Sequence, residues 1–346
     1  MPDATYGYVR SLSSADLREV SLPILMMNAF HLMQKPGSTV INTLGGLHRM
    51  AAWSGLIMTD SGGFQAYSLI RQNAKFGSLG DKGIIFYPEA SSRKLLLTPE
   101  KSIQLQMSYG SDILVCLDDC THVNASRAEQ EASVTRTLAW AARAKSSYLA
   151  QLRSRKWSEE ERPLIFAVIQ GGGELDLRRR CAEGLLEIGF DGFGFGGWPL
   201  DEDSRLLTDI LEYTRSLIPR EFPIHALGIG HPAGIAASYR LGYEMFDCAL
   251  PTRDARHGRL FTWSESDPIL SADGDWLKFR YINSEENFRD TGPISPDCDC
   301  ECCRDYAMAY LFHLYRMRDP GYMRLATKHN LRFMTRLIER LRAQNA

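Results

Sequence analysis

The 346-residue chain has no uninterrupted run of about 18 apolar residues, the length a membrane-spanning helix requires. Its best stretch, 22–33, is broken by Pro23, Asn28 and His31, which excludes a transmembrane span. The first residues, Met1-Pro-Asp-Ala-Thr-Tyr6, show neither a basic segment nor an apolar core, so no secretory signal is expected and the expected compartment is the cytoplasm. Cysteine is too sparse for a disulfide scaffold: there are eight, and four of them crowd into 298–303. In a reducing compartment that crowding points to metal. Neither charge sign dominates, with 40 Lys+Arg against 42 Asp+Glu and a formal net charge of -2. That excludes a uniformly basic nucleic-acid coat but not a local basic patch. Internal repeats and low-complexity segments are absent.

What is present is 44% hydrophobic residues, enough for a sizeable core, in a length that suits roughly two domains or one large barrel. Short apolar runs alternate with helical patterns. The strand candidates are a stub at 1–5, then 24–28, 56–60, 113–118, 164–170, 193–197, 224–229 and 245–250. Helical patterns cover 126–152, 175–188, 203–216 and 232–242. Eight strands, each followed by a helix or loop, predict an α/β fold of the (β/α)8 TIM-barrel type, with a doubly wound sheet the alternative on this pattern alone. The segment 71–97 breaks the alternation. Its halves 83–87 and 94–97 flank the turn-prone Pro88-Glu-Ala-Ser-Ser92, which reads as a hairpin inserted after the 56–60 strand. Thr98-Pro99-Glu100 then opens a helix, with Thr98 as N-cap and Pro99 in its first turn. The expected division is a catalytic barrel over 1–290 and a metal-binding, basic helical appendage over 291–346.

In a barrel, chemistry collects where strands end. The polar residues there are Asn28, Asp60, Asp118 with Asp119, Gln170, the Gly196-Gly197 pair and Asp247. Each alone has an ordinary explanation: a helix cap, a solvated turn, a flexible loop. Together they describe a rim. Asp60 is followed by Ser61-Gly62-Gly63-Phe64-Gln65, where two glycines let backbone amides approach a ligand. Asp247 stands between Phe246 and Cys248, a costly place for a carboxylate without partner or purpose. Two acidic residues can divide labour, one as nucleophile forming a covalent intermediate and one moving protons, the logic of retaining glycosidases. Phe64 offers a face for a planar ligand. A carboxylate such as Asp118 can accept from two adjacent N–H groups, as guanine N1–H and its 2-amino group present, while an amide donor serves O6. These residue types match an N-glycosidic bond to a guanine-like base.

Cys298-Asp-Cys300-Glu-Cys302-Cys303, with His329 downstream, offers three thiolates and one imidazole, which fill a tetrahedral zinc site and leave no open position. Such zinc is structural. By spacing alone the third thiolate is Cys302 or Cys303, and His313 is a weaker fourth ligand. Residues 316–346 carry Arg316, Arg318, Arg324, Lys328, Arg332, Arg336, Arg340 and Arg342 against Asp319 and Glu339. This basic helix beside an acidic barrel reads as a phosphate-contacting arm, with a solvated helix face as the plainer reading. Arg253 and Arg256 add two cations near Asp247.

The stretches Asp60-Ser-Gly-Gly-Phe-Gln65, Ile169-Gln-Gly-Gly172, Phe195-Gly-Gly197, Leu227-Gly-Ile-Gly230, Met245-Phe-Asp-Cys-Ala-Leu-Pro-Thr-Arg253 with Gly258, and Cys298-x-Cys-x-x-Cys303 with His329 span nearly the whole chain. In them the sequence resembles the tRNA-guanine transglycosylase family. The resemblance implies a zinc-bearing barrel and a pentosyltransferase that exchanges guanine in tRNA for a 7-deazaguanine base, with exchange on DNA as the alternative and a non-catalytic partner subunit a more distant one. It implies Asp247 as the nucleophile on ribose C1′ and Asp60 as general acid/base. Asp118, Gln170 and Gly197 would read the base edge, Phe64 would stack on it, and Ser61, Leu227 and Gly228 would line the pocket. Arg253 and Arg256 would grip the phosphodiester, and Cys298, Cys300, Cys303 and His329 would hold structural Zn2+. The implied partners are tRNA, or DNA, the free base, and a second copy in a homodimer. Two departures stand out. Asp119 replaces a glutamate common in bacterial members, and Gly197 is followed by Trp198-Pro199, where proline removes an N–H that could face the 7-substituent.

Overall fold

Short strands that alternate side chains between two faces can bury one face inside a barrel and the other beneath a ring of helices. The computed structural model describes residues 1–72, 74–87, 94–122, 124–201, 203–264 and 275–344. Its twelve strands are β1 (Ile24–Asn28), β2 (Leu56–Asp60), β3 (Gly77–Gly80), β4 (Gly83–Phe86), β5 (Leu95–Leu97), β6 (Ile113–Val115), β7 (Leu164–Ile169), β8 (Gly192–Phe195), β9 (Ile224–Ala226), β10 (Met245–Phe246), β11 (Arg259–Trp263) and β12 (Leu277–Tyr281). Seven of them form one parallel sheet in the order β1-β2-β6-β7-β8-β9-β10. The N-terminal stub joins its two edges, Pro2 bridging to Cys248 beyond β10 and Asp3 to Met26 of β1, both in parallel sense. The stub expected as a strand therefore serves as a two-residue bridge.

The alternation is visible in what each face buries. Met26, Met58, Ile113, Val115, Phe166 and Val168 form one cluster, the filling of the barrel. Their neighbours Leu114, Cys116, Ile165, Ala167, Ile169, Phe193, Phe195, Ile224 and Ala226 belong to the larger core under the helices. Five strands are shorter than the sequence predicts, β7 by the single residue Gln170. β6 stops at Val115, β8 at Phe195, β9 at Ala226 and β10 at Phe246, because the polar and glycine residues that follow leave the ladder to form the rim. At β10 this is abrupt: the helix Leu250–Arg256 begins four residues later with Pro251 in its first turn.

The insertion is richer than a hairpin. β4 pairs antiparallel with β5 as expected, and β3 adds a third antiparallel strand that the sequence reading missed; the turn at 88–92 lies outside the described residues. Thr98 caps the helix Pro99–Tyr109, its Oγ1 accepting from the Lys101 amide at 3.2 Å. The antiparallel β11-β12 pair was also unanticipated.

The last helix, Pro320–Gln344, completes the helical ring. Phe333, Leu337 and Leu341 join the core of the later strands, Leu331 that of the first βα units, and Thr335 Oγ1 donates to the Val20 carbonyl. Its charges are spent on this docking. Lys328, with no solvent exposure, is bonded to Glu19 and Glu301 and lies 3.3 Å from Asp16. Arg324 pairs with Asp16 and Glu301, Arg332 with Asp299 and Glu339, and the Arg340 guanidinium lies over Trp263. The expected phosphate arm is, for these four residues, an internal ion-pair and packing network. Among the described residues no helix is long and apolar enough to cross a membrane.

Candidate active site

The parallel register sets Asn28 at the end of β1 beside Asp60 at the end of β2. Asn28 Nδ2 donates to Asp60 Oδ2, while the amides of Ala29 and Gly62 each donate to Asp60 Oδ1 at 3.1 Å. Gly62 has a φ of +79°, and a side chain there would meet Phe30, so the turn after Asp60 demands glycine. Ser61 is buried: its Oγ accepts from the Gly63 amide and its carbonyl accepts from Ser102. Phe64, 45% exposed, is edge-on to the half-exposed Trp198, which is in turn edge-on to His122.

Across the rim, Asp247 follows β10. Its Oδ1 accepts from His225 Nε2 at 2.8 Å and from the Gly228 amide at 3.1 Å, which places the Leu227-Gly228 turn against it. The two carboxyls are driven apart. Burial, reinforced by the charge of Asp247, pushes Asp60 up to about 7 despite its backbone hydrogen bonds. Burial also opposes ionisation of Asp247, but the hydrogen bond and charge interaction with His225 and the Gly228 amide outweigh it and hold the group below the usual carboxylate range. One carboxyl keeps its proton near neutrality and the other does not, the pattern that separates acid/base from nucleophile.

Asp118 and Gln170 meet, Gln170 Nε2 donating to Asp118 Oδ2 at 2.6 Å. Burial, and secondarily the neighbouring Asp119, pushes Asp118 up to about 7 against that hydrogen bond. Gln170 Oε1 is buried without a partner among the described residues. One amide proton is thus already engaged and the acceptor is left over, a difference from the plain donor role expected of Gln170. The close approach of Gln170 Nε2 also requires Gly196, where a Cβ would come within 2.5 Å of it, and Gly197 lies beside the same amide. Asp119 does not face the pocket group; it is buried against Arg136 of the helix Arg127–Arg155, so the Asp118-Asp119 pair is neither a solvated turn nor a joint site. Arg253 and Arg256 lie on the helix Leu250–Arg256, with no ion pair among the described residues.

Two residues escaped the sequence reading. Arg178 in the helix Leu175–Ile188 reads as a surface arginine, yet it is 1% exposed and donates to the carbonyls of Ile169, Gly172 and Gly196 while lying over Phe195. It ties together the two glycine loops that frame Gln170. His225 is the other. Alternation in Ile224-His225-Ala226 puts it on the barrel-filling side, opposite the two core neighbours, and that parity was the available signal.

Away from the rim, Cys298, Cys300, Cys303 and His329 are all buried and bring their ligand atoms within 4.8 Å of one another. His329 Nε2 donates to the Phe261 carbonyl at 2.8 Å, which leaves Nδ1 for the sulfurs, 3.2 Å from that of Cys303. Cys302 and His313 stand outside the cluster.

Comparison with known proteins fits this geometry. A family model described as queuine tRNA-ribosyltransferase matches residues 1–344. The chain belongs to the queuine tRNA-ribosyltransferase family. It is 36% identical over 342 residues to the queuine tRNA-ribosyltransferase of Psychrobacter sp. (strain PRwf-1), covering 99% of this chain and 84% of that protein. Similarity to the enzymes so named from Solidesulfovibrio magneticus, at 37% identity, and Lysinibacillus sphaericus, at 36%, likewise covers 99% of this chain, and 85% and 83% of those proteins. The similarity spans the stretches that carry both the rim and the C-terminal cluster.

The raised Asp60 and Asp118 have a stability signature. Both are ionised in the unfolded chain above about pH 4, while the folded state holds their protons up to about pH 7. Their contribution to stability is therefore complete below pH 4 and is lost as pH rises toward 7. Asp60→Asn and Asp118→Asn should become progressively more stable relative to the parent between pH 4 and 7, read by urea unfolding at each pH. A pH-independent difference would contradict the assignment.

Proposed function

We propose that this protein exchanges guanine in tRNA for a 7-deazaguanine base through a covalent aspartyl-ribosyl intermediate. The observation that carries the reading is two rim carboxyls in unlike surroundings, Asp247 held by His225 and the Gly228 amide and Asp60 by Asn28 and two backbone amides, in a chain of this family. A carboxylate oxygen of Asp247 attacks C1′ of the ribose. As that C–O bond forms, the C1′–N9 bond breaks, its electron pair leaves with guanine, and Asp60 supplies the proton the departing base needs. In the second half, N9 of the incoming base attacks C1′, Asp60 takes the N9 proton, and the C–O bond to Asp247 breaks. Asp118, Gln170 and Gly197 hold the base edge, Phe64 covers its face beside Ser61, Leu227 and Gly228, and Arg253 and Arg256 hold phosphates.

The four clustered ligands suit zinc in number, type and closure, and a Zn2+ there would tie the 298–303 turn to the last helix within the appendage 291–346, which His329 Nε2 joins to the Phe261 carbonyl of the barrel segment 1–290. It would supply folding energy rather than chemistry.

Three outcomes follow. Incubated with labelled guanine, the protein should label tRNA, and Asp247→Asn should reduce this to background; labelling of duplex DNA alone would transfer the reading to DNA, and labelling of neither by the parent would overturn it. Because Pro199 leaves only the Trp198 carbonyl facing a 7-substituent, competitive exchange should favour 7-aminomethyl- over 7-cyano-7-deazaguanine, and a clear nitrile preference contradicts this. Metal analysis should find about one zinc per chain, lost together with thermal stability in Cys298→Ser/His329→Ala; unchanged zinc in that variant refutes the site.

A further inference from the structure

His225 is a polar side chain with 1% exposure on the filled side of the barrel, and nothing in a methionine- and valine-lined interior requires an imidazole. Among the described residues the one hydrogen bond of its ring is to the carboxylate of Asp247, and its buried Nδ1 has no partner. A ring placed for packing would be replaced by an apolar one without leaving an orphaned nitrogen. This ring tolerates the orphan and spends its other nitrogen on Asp247. The carboxylate is ionised and cannot donate, so Nε2 carries the proton.

Both hydrogen bonds to Asp247, from His225 Nε2 and from the Gly228 amide, end on Oδ1. Among the described residues Oδ2 receives none. We propose that His225 is a positioning residue for the nucleophile: with the Gly228 amide it pins Oδ1 of Asp247 from beneath, so that Oδ2 is the oxygen that attacks C1′. This deepens, and rests on, the transglycosylase reading. In the step as drawn, the Oδ2–C1′ bond forms while C1′–N9 breaks, the electron pair leaves with the base, and the proton comes from Asp60; His225 neither gains nor loses one. Its contribution is orientation, together with a donor that keeps the carboxylate ionised in a buried place.

The titratable groups whose charges reach Asp247 are His225 on β9, Asp60 on β2, Cys248 next in the chain and the Met1 amino group on the N-terminal stub. Among the described residues only His225 and the Gly228 amide bond to it.

His225→Phe removes the donor, and His225→Gln returns a neutral N–H at about the same reach. In exchange assays His225→Phe should lower kcat by about 100-fold, the scale of a misplaced reacting group, with KM for the free base little changed. His225→Gln should recover at least about tenfold of that loss. Wild-type kcat in His225→Phe, or equal impairment in both variants, would overturn the proposal. A second reading needs no substrate: the carboxyl carbon of Asp247, followed by NMR in 13C-aspartate protein, should titrate at higher pH in His225→Phe than in the parent, with His225→Gln between the two because it returns the hydrogen bond but not the charge. An unchanged titration in His225→Phe refutes the role of His225. Absence of exchange by the parent on tRNA and DNA refutes the transglycosylase reading instead, and the NMR titration still decides the His225 question.

Discussion

Removing a carboxyl from water costs several kcal/mol unless it is neutral or well supplied with hydrogen bonds, and the rim of this barrel holds three of them half-buried. Asp60 and Asp118 respond by holding their protons to about pH 7. Asp247 does not, because His225 and the Gly228 amide converge on one of its oxygens. The chemistry proposed for the site depends on that inequality. Two equivalent carboxyls would share a proton and neither would be committed to attack.

The rest of the fold serves to keep those groups fixed. Parallel pairing of β1 with β2 delivers the Asn28 amide to Asp60, and β9 beside β10 delivers His225 to Asp247. Arg178 ties together the carbonyls of Ile169, Gly172 and Gly196, which flank Gln170 and Gly197. The closing helix Pro320–Gln344 is held by the buried Lys328 among Asp16, Glu19 and Glu301, a network in which losing one partner would strand the other charges.

Much of this was legible in the sequence, and the failures have physical causes. β1 and β2 were read to the residue because apolar runs there end at polar residues that remain in register. β9 and β10 were read too long because Leu227-Gly228 and Cys248-Ala249 continue the apolar composition after the ladder has ended. Asp60, Asp118, Gln170 and Asp247 were visible as polar residues at strand ends. His225 and Arg178 were not, since one lies within a strand and the other on a helix whose neighbouring arginines face solvent. The basic C-terminal stripe looked like a phosphate arm because its partners, Asp16, Glu19, Asp299 and Glu301, are scattered along the chain and meet it only in the folded state.

The division of roles between the two rim carboxyls is tested most directly by finding which one becomes attached to ribose. The protein should be mixed with tRNA in the absence of free base, quenched with denaturant, digested and mapped by mass spectrometry. The account predicts a ribosyl adduct on the peptide carrying Asp247 and an unmodified Asp60. An adduct on Asp60, or an active enzyme that turns over without any adduct, would contradict it.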